Sequence, residues 1–142
     1  MKVIGEYILR GSIERSDAAT NPETINLNDG SFETGFRVMK FQVYNDGDVT
    51  TDVEGALGLA DDLTPIGDWD FGDNREIGWS VLRWWDFNVS SRQEYVDPNN
   101  MIIEDLYLYC TNNQRVNYVI ELVKYDITDW EGALALATAR QS

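Results

Sequence analysis

The runs MIIEDLYLYC (Met101–Cys110) and VNYVIELVKY (Val116–Tyr125), separated by Thr111-Asn112-Asn113-Gln114, decide the fold class. In the first, Ile102, Leu106, Leu108 and Cys110 share one parity. In the second, Val116, Tyr118, Ile120 and Leu122 share one, with Val119 and Val123 on the other. A period of two marks strands, and the polar tetrapeptide reads as a hairpin turn between them. Next, Thr128-Asp129-Trp130-Glu131 fits a capping box, and the Ala- and Leu-rich run behind it predicts a helix over 128–140. Trp130, Ala133, Leu134 and Ala137 fall on one face of that helix, which is too short to be stable alone and should dock on its own sheet or on a neighbouring subunit.

The rest of the chain repeats the strand pattern. Val3, Tyr7, Leu9 and Ile13 alternate with Glu6, Arg10, Ser12 and Glu14. Thr24 to Asn28 alternates too, and Asn28-Asp29-Gly30 signals a hairpin turn, because these residues tolerate left-handed backbone. Gly35–Tyr44 is apolar on both parities, as expected for a strand covered on both faces. Between Asn45 and Gly67 the pattern weakens, giving one short edge strand around Ala56–Ala60 and two loops. From Ile77 to Phe87, Ile77, Trp79, Val81, Trp85 and Phe87 share one parity and read as a bulky core strand. Many short strands with turn signals and one terminal helix predict a single all-β domain over 1–142. The expected architecture is an antiparallel β-sandwich with a C-terminal α-helix, the jelly roll being one form it could take.

Composition narrows the function classes. The chain has 142 residues, no histidine, one cysteine, and 25 acidic against 11 basic residues, for a formal charge of −14. Such a charge repels nucleic acid, so no direct nucleic-acid partner is expected. The absence of histidine removes Ser-His and Cys-His nucleophile pairs and the common zinc sites. Cys110 sits within an apolar strand pattern and reads as a buried small side chain. No apolar stretch is long enough to span a membrane, and an acid six residues in argues against a secretory signal.

Three constellations invite a chemical reading. Asp68, Asp70, Asp73, Asn74 and Glu76 could offer several oxygens to Ca2+, although their spacing is not that of an EF-hand. The same carboxylates also suit a turn in which they cap backbone amides, the simpler interpretation. Asp46, Asp48 and Asp52 form a weaker acidic group. Glu104 and Asp105, as neighbours on a strand, would point to opposite faces and could not flank one glycosidic bond. With Trp79 and Trp85 assigned to the core, Trp69, Trp84 and Trp130 are left to stack on a sugar ring.

Four stretches resemble a known family. They are Leu27–Gly30 with Gly35–Val38, Asp70–Trp79, Asp97–Asn99 with Ile102–Leu106, and Asn117–Glu121 continuing through Tyr125–Trp130. They are similar to small virion structural proteins of uncultured, largely marine tailed phages. The resemblance implies a non-enzymatic particle component, located in the capsid after a soluble stage in the host cytoplasm. Its implied partners are other copies of itself and other capsid proteins, with no functional residue to carry over. A carbohydrate-binding module of fibre type, assisted by calcium, is the alternative.

Overall fold

The computed structural model describes residues 2–27, 30, 33–46, 51–86, 89–97, 99–111 and 115–128, and these are all-β. Eight strands follow in chain order: β1 (Lys2–Ile13), β2 (Glu23–Ile25), β3 (Thr34–Asn45), β4 (Val53–Gly58), β5 (Glu76–Trp84), β6 (Ser90–Val96), β7 (Leu106–Cys110) and β8 (Val116–Asp126). They form two antiparallel sheets, ordered β1-β8-β3 and β2-β7-β4-β5-β6. The pairing is nested, since β1 bonds to β8, β2 to β7 and β4 to β5. The remaining two strands, β3 and β6, meet where the sheets adjoin, and Gln42 Nε2 donates to Glu94 Oε1 there at 2.9 Å.

This topology corrects the hairpin reading of the decisive stretch. β7 and β8 lie in different sheets, each between two other strands, so the connection at 111–115 carries the chain from one sheet to the other. Turn residues report that the chain reverses, and say nothing about whether the flanking strands pair. The first run is also shorter than its apolar pattern. Its strand begins at Leu106, Ile102 instead forms an isolated bridge to Phe36, and Glu104 and Asp105 precede the strand. The same correction applies near Gly30, since β2 and β3 belong to separate sheets.

Alternation in β1, β3 and β8 points Ile13, Leu9, Val38, Phe41, Val43, Val116, Ile120 and Leu122 towards the other sheet. There they join Val53, Leu57, Leu82, Leu106, Leu108 and Cys110 in one apolar cluster. β3 is therefore covered on one side, contrary to expectation. A register shift leaves Met39 as the extra residue between Val38 and Lys40, about half exposed, which scrambles the parity in the sequence.

β4, expected at an edge, is an interior strand between β7 and β5. Its far face is covered by the segment after it: Leu63, Ile66 and Trp69 lie over Ala56, Trp79 and Tyr109 as a second cluster. Tyr109 anchors this cover, its hydroxyl donating to the Ala60 carbonyl at 2.6 Å and accepting from the Leu63 amide at 3.1 Å. Burial on both faces explains the small and apolar residues of β4 and β5.

Trp79 is buried as expected, but Trp85 is not: it lies one residue past the end of β5 and is 72% exposed. Once the strand ends, parity no longer governs where a side chain points. The predicted helix falls outside the described residues from Asp129 onward, with Trp130, Ala133, Leu134 and Ala137. Thr128 is described, and both its amide and its hydroxyl donate to Asp126 Oδ1, at 3.0 and 2.8 Å.

Candidate functional site

The acidic segment Asp68–Glu76 closes the cover over the five-stranded sheet and then enters β5. Short-range bonds shape it: the Asp73 amide donates to the Asp70 carbonyl, and the Glu76 amide to the Asp73 carbonyl, both at 3.1 Å. Asp70 Oδ1 accepts the Gly72 amide at 2.9 Å. The Arg75 guanidinium grips Asp73 with two bonds, Nε to Oδ1 at 3.0 Å and Nη2 to Oδ2 at 2.9 Å. That hydrogen bonding holds the Asp73 carboxyl below the usual carboxylate range and lifts Arg75 above its own. Glu76 is buried, and its Oε1 accepts from both the Asp70 amide at 3.1 Å and the Trp79 indole at 3.0 Å.

Asp70, Asp73 and Glu76 thus each turn towards donors of the same segment or of β5, and Asp68 stands exposed at its start. Among the described residues, no group of three or more acidic or cysteine side chains converges to hold a metal ion. In the other acidic group, Asp46 pairs with Arg115, and Asp52 Oδ1 accepts the Trp84 amide at 2.8 Å. Asp48 lies outside the described residues.

What the fold does assemble here is aromatic. Phe71, 65% exposed, stands edge-on to Trp79 with ring centroids 4.7 Å apart, and packs near Tyr95 at 6.0 Å and Trp69 at 6.2 Å. Tyr95 on β6 is also exposed. These rings form an inclined aromatic cluster at the β5–β6 side of the second sheet, with Asp68 and Asp70 next to Trp69 and Phe71 in sequence. Trp84 does not belong to it: it is half-buried against the main core at the opposite end of β5. Of the three sugar-stacking candidates, Trp69 is in this cluster, Trp84 is remote from it and Trp130 lies outside the described residues. Phe71 and Tyr95 escaped sequence reasoning because only the fold-over of the loop makes them neighbours.

Cys110 is buried, and burial pushes its thiol up to about 11. No helix among the described residues is long and apolar enough to cross a membrane. No protein family, curated protein or solved structure matches the chain.

Proposed function

We propose that the chain is a non-enzymatic structural protein of a virus particle, a capsid component or a decoration protein, built as a jelly-roll β-sandwich. The observation that carries this reading is the nested strand order. Pairing first with last, second with seventh and fourth with fifth, with the third beside the sixth, is how eight strands wrap into a double-sheet jelly roll. Viral shells and lectins both use that architecture. Two features favour a shell. A charge of −14 suits a protein on the outside of a particle or between subunits, away from packaged nucleic acid. One sheet also ends in a long apolar edge strand, β1, which suits joining to neighbours. The four stretches that resemble tailed-phage virion proteins point the same way. In this reading the partners are other copies and other capsid proteins, and the segment 128–140 adds a second contact through Trp130, Ala133, Leu134 and Ala137.

The test is light scattering and negative-stain imaging of the purified chain, alone and mixed with empty tailed-phage shells. Symmetric oligomers or shell-bound density are expected. A strict monomer that leaves every shell bare overturns the proposal.

The aromatic cluster favours a second reading, a carbohydrate-binding sandwich, with the exposed Phe71 ring stacking on a sugar face, the inclined Tyr95 and Trp69 rings flanking it, and Asp68 and Asp70, next in sequence, accepting from its hydroxyls. Binding on a glycan array that is lost with Phe71→Ala supports it, and loss on chelation would add Ca2+. A silent array counts against it.

A further inference from the structure

Among the described residues the two sheets have four edges, and these are treated differently. β2 is only three residues long, and β6 is rich in polar and charged side chains, including Arg92 and Glu94. The outer edge of β3 is filled from elsewhere in the chain. Phe36 exchanges backbone bonds with Ile102 at 2.9 and 2.7 Å, the Val38 amide donates to Asn100 Oδ1, and the Val43 amide and carbonyl meet Ser80 Oγ and Arg92 Nη1. Short, charged or capped edges are how proteins avoid adding strands from other molecules.

β1 is the exception. It is twelve residues long, stands at the end of its sheet, and has β8 as its strand neighbour. Val3, Ile4, Tyr7 and Ile8 are all exposed, Ile8 at 67%. Its pairing with β8 is regular from Gly5 to Ile13, with the one shift falling at Ile4.

We propose that β1 is a homodimerisation edge, pairing antiparallel with β1 of a second copy about a two-fold axis through Ile8. This deepens the assembly reading above and rests on it for its setting. A two-fold axis perpendicular to the sheet keeps every side chain on its own face, so one residue must sit on the axis opposite its own copy. Placing Glu6 or Arg10 there stacks like charges. Placing Tyr7 there sets Glu6 against Ile8, and placing Leu9 there sets Ile8 against Arg10. The register centred on Ile8 sets Glu6 opposite the second copy's Arg10, twice over, on one face. On the other it sets Tyr7 opposite Leu9. Opposite charges meet, apolar groups meet, and Gly5 faces Gly11 at both ends. The second copy is the occupant because the complementarity lies within one strand. The joined product is a continuous sheet, β3-β8-β1-β1-β8-β3.

The experiment combines charge exchange with cross-linking in the full chain. Glu6→Arg and Arg10→Glu each replace two attractive pairs with two repulsive ones and should weaken the dimer roughly tenfold or more in sedimentation equilibrium. The double variant E6R/R10E should restore it. Ile8→Cys places two thiols within the 4.5–5.5 Å Cα separation of antiparallel partners, which a disulfide can span, so a covalent dimer should form under mild oxidation. Buried Cys110 does not compete. Circular dichroism of each variant reports whether the fold is kept. A monomer that yields no Ile8→Cys dimer overturns the inference, and would fit the segment after Thr128 covering this edge. Oligomers indifferent to the charge exchange overturn it while leaving the assembly reading intact. A dimer that obeys the exchange but ignores shells sustains it and sinks the virion reading.

Discussion

Ser80 and Val43 tie the two sheets together: the Ser80 hydroxyl, fully buried on β5, accepts the Val43 amide of β3 at 3.2 Å. Arg92 completes the junction, donating from Nη1 to the Val43 carbonyl at 2.9 Å while its guanidinium lies over the Tyr44 ring at 4.1 Å. Ser80→Ala leaves a buried amide without its acceptor, which costs about 1–3 kcal/mol. Urea unfolding should show that loss as a lower midpoint with an unchanged slope.

Close approach of the sheets leaves Gly55 the least room of the described glycines. A Cβ there would stand 2.5 Å from Val43 Cγ1 and 3.1 Å from Phe41 Cζ. Gly55→Ala should therefore destabilise by about 1–3 kcal/mol through overpacking, despite the gain in strand propensity. The same substitution at Gly72, which would meet only Asp70 Oδ1 at 3.2 Å, is the control.

Glu76 is the keystone of the acidic segment, since one of its oxygens serves both Asp70 and Trp79. Glu76→Ala removes a charged acceptor from two donors and should cost about 2 kcal/mol. Glu76→Gln, which keeps a carbonyl oxygen, should cost less. Altered tryptophan emission would report the released indole.

The segment should also respond to acid. The Arg75 bonds lower the Asp73 carboxyl in the folded state, so its stabilising contribution is complete above the usual carboxylate range, about 4. It is lost as pH falls through the lower folded value, where protonation breaks the pair. Asp126, lowered by the Thr128 amide, adds in the same direction. Asp73→Asn should flatten the fall in melting temperature below about pH 4.

Burial also sets the chemistry of Cys110. With its thiol held near 11 and shielded, it should fail to react with a thiol reagent at pH 8 in the folded protein and react fully in urea. Prompt reaction in native buffer would mean that β7 opens.

The strand content was legible because alternation survives at Val3–Ile13 and Val116–Tyr125, where each strand has one face towards the main core. The burial of Cys110 and Trp79 was legible for the same reason. The pairing was not, because each apolar run finds partners far away in the chain: β7 takes β2 and β4, and β8 takes β1 and β3. Met39 and Trp85 misled for local reasons, one a bulge and the other a strand end. At the candidate site, the acidic residues were visible as a run, but their internal hydrogen bonding and the approach of Phe71 to Tyr95 depend on a loop folding back across a sheet.

The nesting of first strand on last also sets an order of events during synthesis. β4 and β5 are close in sequence and can pair early, whereas β1 must wait until residues 116–126 have left the ribosome. Contacts so distant along the chain make for slow folding. Throughout that wait, Val3, Ile4, Tyr7 and Ile8 have neither β8 beside them nor any sheet to lean on, so the nascent chain is most prone to clump until residues 116–126 emerge.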